Sequence, residues 1–257
     1  MTTVQSANPR LTALKMLASV LDNGTNLSDA DAENRQESAR DRAFSRHLSY
    51  GVLRWLVALD WLAAQLMRKP LRRKDRDIHR LVLIGLFQLW KDDSAAHAAI
   101  NETAECARKL RKKWAVSVVN AVLRRFQREQ EQWLERLSSQ DERFAHPAWL
   151  LDALRSDWPD DWERVATANQ QAGPLWLRLN PRFDRAETLD MLNRGGFGHE
   201  QHPIIRSAIE ITSPVAVQRL PGFDQGRFSV QDPAAQLAAD LLRPEAAHRV
   251  LDACSAP

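Results

Sequence analysis

The residues whose types and spacing point most directly to chemistry close the sequence. Arg249-Val250-Leu251-Asp252-Ala253 has the pattern of a short buried strand ending in an acid, and Cys254, Ser255, Ala256 and Pro257 follow as small residues. Small residues suit a backbone that must turn sharply and approach a ligand. In nucleotide-type α/β sheets, ligands sit at the carboxyl end of such a first strand, against the loop leading to the next helix. Cys254 invites a second reading, as a nucleophile. Nothing near it in sequence would lower its pKa, as a reactive thiol requires, so it reads as a loop residue.

Other chemistry is sparse. Cys106 and Cys254 are the two cysteines, too few for a disulfide framework and without a metal-type pairing. Seven histidines are scattered, and only His199 and His202 stand close, on either side of a loop. A metal site needs three or four convergent ligands, so no metal is expected. No Gly-x-Ser-x-Gly or Gly-Lys-Ser/Thr motif occurs. Met1 to Arg10 is polar, no apolar run approaches the ~20 residues that cross a bilayer, and a cytoplasmic chain is expected.

Charge is more informative. The net charge is +3, but it is unevenly spread. Residues 68–80 carry seven Lys/Arg and two Asp, a local +5, and residues 108–128 carry eight Lys/Arg and no acid, a local +8. These segments hold +13 against a total of +3, which leaves −10 on the rest of the chain. Such asymmetry marks a surface that faces a polyanion. The bland reading is a solvated helical face, favoured for one basic run and disfavoured for two so close together. The candidate phosphate contacts are Arg72, Arg73, Lys74, Arg111, Lys112, Lys113, Arg124 and Arg125. Tryptophans could stack on bases, but Trp55, Trp61 and Trp90 fall in apolar helices, so Trp114, between basic residues, is the one to test.

The elements that position these residues follow from periodicity. Asn8-Pro9 starts a helix with Leu11, Leu14, Leu17 and Leu21 at helical spacing, and Asn23-Gly24 ends it. Residues 25–40 read as a loop. Apolar residues recur at helical spacing from Ala39 to about Met67, and Arg68-Lys69-Pro70 breaks the run. Helices are predicted over 77–90, 95–112 and 114–128, which makes an all-α bundle. A polar stretch at 138–144 reads as a linker, followed by helices starting at His146-Pro147 and at Pro159. The period then changes to strand type at 175–179, 204–211 and 228–230, with helices over 186–194 and 234–242. The expected domains are therefore a helical one over 1–138, a small α+β domain over 145–230, and the start of a larger sheet over 231–257.

The order of local motifs resembles one family. Tyr50-Gly51-Val52-Leu53-Arg54, Gly85-Leu86-Phe87-Gln88-Leu89 and His97-Ala98-Ala99-Ile100-Asn101-Glu102 come first. Val119-Asn120-Ala121-Val122-Leu123-Arg124-Arg125, His146-Pro147-Ala148-Trp149, Leu177-Arg178-Leu179-Asn180 and Val230-Gln231-Asp232-Pro233-Ala234-Ala235-Gln236 follow, before Leu251-Asp252-Ala253-Cys254-Ser255-Ala256-Pro257. Together they are similar to bacterial small-subunit rRNA cytosine-C5 methyltransferases of the Sun/Fmu type. The resemblance spans nearly the whole chain. It implies a NusB-like helical domain, a small α+β domain, and the first strand of a Rossmann-type domain interrupted within its S-adenosylmethionine motif. It implies that Cys254, Ser255, Ala256 and Pro257 line the S-adenosylmethionine site and that 16S rRNA is the partner. It also implies that the two catalytic cysteines lie beyond Pro257, so residues 1–257 are expected to bind RNA without catalysing, and to bind the methyl donor poorly. Two other readings stay open: a NusB-like RNA- or protein-binding module without chemistry, and a remnant of an interrupted gene without function. The residues after Leu242 are expected to fray, since one strand has little to pair with or pack against.

Overall fold

Asn8 and Pro9 open the first helix, α1 (Pro9–Asn23), as their types predict. The Asn8 side chain accepts a hydrogen bond from the Arg10 amide at 3.0 Å, and Gly24 closes the helix in the left-handed region at φ 68°. The computed structural model describes residues 8–32, 38–92, 95–171, 173–213 and 215–253. A short helix, α2 (Leu27–Ala32), occupies part of the segment expected to be a loop. The long helical run splits at Trp55 into α3 (Ala39–Arg54) and α4 (Leu56–Leu66). Trp55 leaves helical geometry there, and its ring meets Trp90 edge to face at 5.1 Å.

Helix α5 (Arg76–Lys91) is the centre of the bundle. Ile78, Leu81, Val82, Leu83, Ile84, Leu86 and Phe87 are all buried, and a helix that is apolar all round must be surrounded by others. Its neighbours are α1, α3 and α4, then α6 (Ala96–Lys109) and α7 (Lys113–Arg128). Two glycines of the local motifs permit close approach here. A Cβ on Gly51 would fall 2.0 Å from the Phe87 ring, and one on Gly85 would fall 2.5 Å from a Leu123 methyl.

A helix not expected from the sequence, α8 (Gln130–Ser138), follows; its two inward residues, Trp133 and Leu137, are a thin signal in a polar stretch. A 3-10 turn at Asp141–Phe144 packs on α4 and α8 and leads to α9 (Ala148–Asp157) and α10 (Trp162–Ala168). Phe144, Leu151 and Ala166 are buried together, and the Gln170 amide donates to the Phe144 carbonyl at 2.9 Å. The first compact unit therefore extends to Gln171, and the second covers Ala172–Pro257.

The second unit is built on an antiparallel sheet. Its elements are β1 (Leu175–Leu179), α11 (Arg185–Arg194), β2 (His199–Gln201), β3 (Ala208–Ile211), β4 (Phe228–Val230) and α12 (Pro233–Leu242), and the strand order is β2-β3-β1-β4. Leu177 pairs with Ile209 and Val230, and Leu179 with Phe228. That alternation puts Leu177, Leu179, Ile209, Ile211 and Phe228 in one core with Leu192 of α11 and Leu220. The strand expected over 204–211 begins only at Ala208. His202 is the reason: its Nδ1 accepts the Ile204 and Ile205 amides at 3.2 and 3.0 Å, which folds that stretch into the turn between β2 and β3. Strand β2 (His-Glu-Gln) carries no apolar signal to reveal it.

The local motif at residues 230–236 is explained by its bonds. Asp232 caps α12 by accepting the Ala234 amide at 2.8 Å. Gln236, buried, accepts from the Ser207 hydroxyl at 2.7 Å and donates to the Gln231 carbonyl at 3.1 Å. Beyond Leu242 the described residues form no helix or strand. The strand expected at Arg249–Ala253 is absent: no other described strand pairs with it, and Val250 and Leu251 are 55% and 86% exposed.

Candidate nucleic-acid interface

The segment between α4 and α5 and the outer face of α7 form the walls of one groove. Leu66 ends α4, and Pro70 keeps the chain out of helix until the 3-10 turn at Arg73–Asp75 delivers it into α5. Facing it, Trp114, Ser117, Val118, Ala121, Val122, Arg125 and Arg128 recur at three- and four-residue intervals on α7 and so share one stripe. Between the walls lies a cleft of about 1390 Å³. Met67, Leu71, Val118 and Ala121 supply apolar surface to it, and Arg68, Lys69, Arg72, Lys74, Arg125 and Arg128 supply cations.

One lysine ties the walls together. Lys112 Nζ lies 2.9 Å from Asp75 Oδ1, 2.7 Å from Asp77 Oδ1 and 3.1 Å from the Lys74 carbonyl. Burial opposes its charge, but the hydrogen bonds to Asp75 and Asp77 outweigh this and raise its pKa. Arg125 is also engaged. It donates to Glu129 at 3.1 Å and to the Leu66 carbonyl at 3.3 Å, where it satisfies the end of α4, and it lies 4.9 Å from the centroid of Trp133. In the same basic runs Arg76 and Arg80 both bind Asp22, at 3.2 and 2.5 Å. The Arg80 hydrogen bond leads the causes that hold the Asp22 carboxyl below its usual range.

The eight candidate phosphate contacts therefore divide. Arg72 and Lys74 line the groove and have no carboxylate partner among the described residues. Arg73 lines a smaller cleft of about 410 Å³ with Met67, Leu71, Arg76 and His79. Arg111, Lys113 and Arg124 are exposed on or beside α7, outside the groove lining. Lys112 and Arg125 are structural ties first. Arg68, Lys69 and Arg128 line the groove as well. Arg128 lies 3.8 Å from Glu129, whereas Arg68 and Lys69 have no carboxylate partner among the described residues; only the fold separates them from their paired neighbours.

The start of α7 is electrostatically unusual. Its first turn holds no acid, and Lys113 is its first residue. Cations at the positive end of a helix dipole are unfavourable for the helix and favourable for an anion. Arg111 occupies the left-handed region at φ 60°. Its amide donates to the Arg108 carbonyl and the Lys112 amide to the Ala107 carbonyl, which is the helix-closing motif in which glycine usually takes that position.

The remaining candidates fall elsewhere. Cys254, Ser255, Ala256 and Pro257 lie outside the described residues. Cys106 is fully buried, and burial pushes its thiol up to about 11. His199 pairs within the sheet opposite Ile211, and His202 serves the turn already described. Among the described residues no helix is long and apolar enough to cross a membrane, and no cluster of three potential metal ligands occurs.

Residues 7–128 match the model of the NusB family, and residues 146–218 match that of the ferredoxin-like domain of RsmF/B-like methyltransferases. A NusB-type helical domain is thus followed in sequence by a methyltransferase-associated ferredoxin-like domain, whose match begins with α9 and α10 of the first unit and continues into the sheet unit. Over 97% of its length the chain is 45% identical to a ribosomal RNA small subunit methyltransferase B of Pseudomonas putida, of which it covers 58%. It is 40% identical, again over 97% of its length, to proteins of the same name from Yersinia pestis and Yersinia pseudotuberculosis, and covers 59% of each. Along nearly its whole length the chain is thus similar to NusB-containing small-subunit rRNA methyltransferases B, and it spans a little under three-fifths of these curated relatives. The crystal structure of PH0851 shares the fold, with a TM-score of 0.59 at 14% identity over 93% of this chain and 56% of that one.

Proposed function

We propose that the chain is the RNA-gripping part of an enzyme that transfers a methyl group from S-adenosylmethionine to C5 of a cytosine in 16S rRNA, in the cytoplasm. Kinship with the small-subunit rRNA methyltransferases B supports the reaction class. The cytosine, the donor and its contacts at Cys254–Pro257 rest on the sequence resemblance. When bound, the donor supplies the methyl group. The described part of its motif, 249–253, forms no strand and leaves Val250 and Leu251 largely exposed, so it makes no cradle by itself. Residues 1–257 alone are expected to bind RNA without methylating it.

What these residues do is hold the substrate. The observation that carries this reading is the groove between 66–74 and α7. There Arg68, Lys69, Arg72 and Lys74 have no carboxylate partners among the described residues, while their neighbours Lys112, Arg76 and Arg80 are engaged inside the fold. Phosphate neutralisation by such cations supplies the sequence-independent part of RNA binding and makes it salt-dependent. Replacing Arg68, Lys69, Arg72 and Lys74 by Ala should weaken rRNA binding across sequences. The slope of log affinity against log salt should flatten by roughly 0.7–0.9 for each phosphate no longer neutralised. Unchanged affinity and slope, measured by filter binding over a salt series, would show that the groove is only solvated.

A further inference from the structure

Trp114 differs from the other tryptophans of the helical unit in joining an open ring to cationic neighbours; Trp61 also meets no ring or cation among the described residues, but it is half-buried against the helical core. Trp55 and Trp90 meet each other and hold the Lys91 ammonium at 3.7 and 4.0 Å. Trp133 lies between Arg125 and Arg136, at 4.9 and 4.6 Å. Trp162 takes the edge of Phe144 and the guanidinium of Arg155. Trp114 has no ring or cation partner among the described residues, and it is 49% exposed. Trp149 and Trp158 are exposed too, but Asp152, Asp157, Asp160 and Asp161 stand near them in sequence, a setting that repels phosphate. Trp114 is the open indole that stands among cations.

The groove beside it is more than a charged strip. Met67, Leu71 and Val118 are half-buried in its walls, so part of the surface facing an incoming ligand is apolar. Its volume of about 1390 Å³ exceeds the ~300–1,000 Å³ of small-molecule pockets, which suits a stretch of polymer. The outside of an RNA duplex offers phosphate and ribose, which match the rim and leave the indole and the apolar walls uncovered. An unpaired nucleotide offers phosphate to the rim and a flat π-face to the indole.

We infer that the groove takes a single-stranded stretch of RNA, with one base stacked on Trp114 and the flanking phosphates held by Arg68, Lys69 and Arg72. This rests on the reading of the groove as the RNA-gripping surface. It adds that the RNA gripped there is unpaired and held partly by its base.

The test uses residues 1–257, a short unstructured adenine-rich RNA, and an RNA duplex of the same length. Trp114→Ala should weaken binding of the single strand by about 5- to 150-fold, the range that base–aromatic stacking spans, with the salt slope unchanged. Trp114→Phe should retain most of the affinity, and duplex binding should move with neither variant. Thermal melting of both variants separates a stacking defect from a folding defect. If Trp114→Ala binds the single strand like the wild type while R68A/K69A/R72A binds weakly, the stacking inference fails and the RNA surface stands. If neither variant is weaker, the reading of the groove fails as well. An equal weakening on duplex would overturn the single-strand assignment. An acidic peptide that binds more tightly than RNA, in a Trp114-dependent way, would make the groove a peptide site.

Discussion

The helical unit and the sheet unit both carry many arginines and both brace themselves with some of them, but the helical unit also gathers cations without acidic partners along one groove. In the sheet unit Arg178 bonds Gln231 at 3.1 Å, Arg227 bonds Glu187 at 3.1 Å, and Arg185 reaches the Arg206 carbonyl and Gln201. These side chains brace a core of seven buried apolar residues, which is small enough to need such support. The helical unit is organised round α5, whose residues from Arg80 to Gln88 are all buried, and it braces itself with cations too. It engages Lys112, Arg76, Arg80 and Arg125 internally and leaves Arg68, Lys69, Arg72 and Lys74 without acidic partners among the described residues. A basic run thus becomes a polyanion surface only through the members that the fold does not pair. Net charge alone does not distinguish bracing cations from those left to a ligand; their partners do.

The strongest test of that division removes a cation assigned to structure and asks whether stability or RNA binding suffers. Lys112→Met leaves the buried Asp75 and its neighbour Asp77 without their shared cation. The expected cost is about 1–3 kcal/mol, the usual penalty for orphaning a charged hydrogen-bonding partner, read by urea denaturation. The pH dependence has a definite sign. The folded-state pKa of Lys112 is raised, so its contribution is full below the unfolded lysine value near ~10.4 and fades as pH rises through the folded value. Wild type and variant should converge in strongly alkaline solution. A variant as stable as the wild type but deficient in RNA binding would move Lys112 from the internal group to the free one.

The bundle's close packing gives a second contrast. Gly51→Ala places a methyl 2.0 Å from the Phe87 ring, which is buried. Helix propensity favours alanine by about 1 kcal/mol, while overpacking a core costs about 1–3 kcal/mol, and at so short a distance the clash should win. A net decrease of roughly 1 kcal/mol or more in denaturant stability is expected, with RNA affinity per folded molecule unchanged. Gly85→Ala, at 2.5 Å from Leu123, should lose less. Gains in both would mean that the α3–α5 and α5–α7 interfaces relax more freely than a packed interior allows.

What the sequence reveals of this molecule depends on how local each feature is. The α5 helix is plain because residues 81–87 are an unbroken apolar run, and α1 is plain because Asn8, Pro9 and Gly24 carry cap chemistry in their types. Strand β2 is hidden because His199-Glu200-Gln201 has no alternation to read. The start of β3 is misplaced by its apolar pattern because the bond between His202 and two amides is silent in that pattern. The same limit governs the groove. Both basic runs and Trp114 are visible, yet Arg124 and Lys69 look alike in a one-dimensional charge count. Only the fold shows that Lys69 lines a cleft, that Arg124 lies outside its lining, and that Lys112 is locked between Asp75 and Asp77.

Arg111 offers the smallest and most discriminating change. Its backbone sits at φ 60°, where a residue with a Cβ costs about 1–2 kcal/mol relative to the right-handed region. Glycine would remove that strain, although its greater freedom in the unfolded chain cancels about 0.5–1 kcal/mol of the gain. Arg111→Gly should therefore leave stability unchanged or raise it by up to about 1.5 kcal/mol. Arg111→Ala should not, because it keeps the strain and removes only the charge. If the guanidinium, exposed just before the acid-free first turn of α7, touches RNA, both variants should flatten the salt slope by the same amount, roughly 0.7–0.9. The pair separates backbone from charge at one position. Equal slopes in wild type and both variants, with a stability gain for glycine alone, would mean that this arginine lies beyond the reach of the RNA and that the surface ends at the groove.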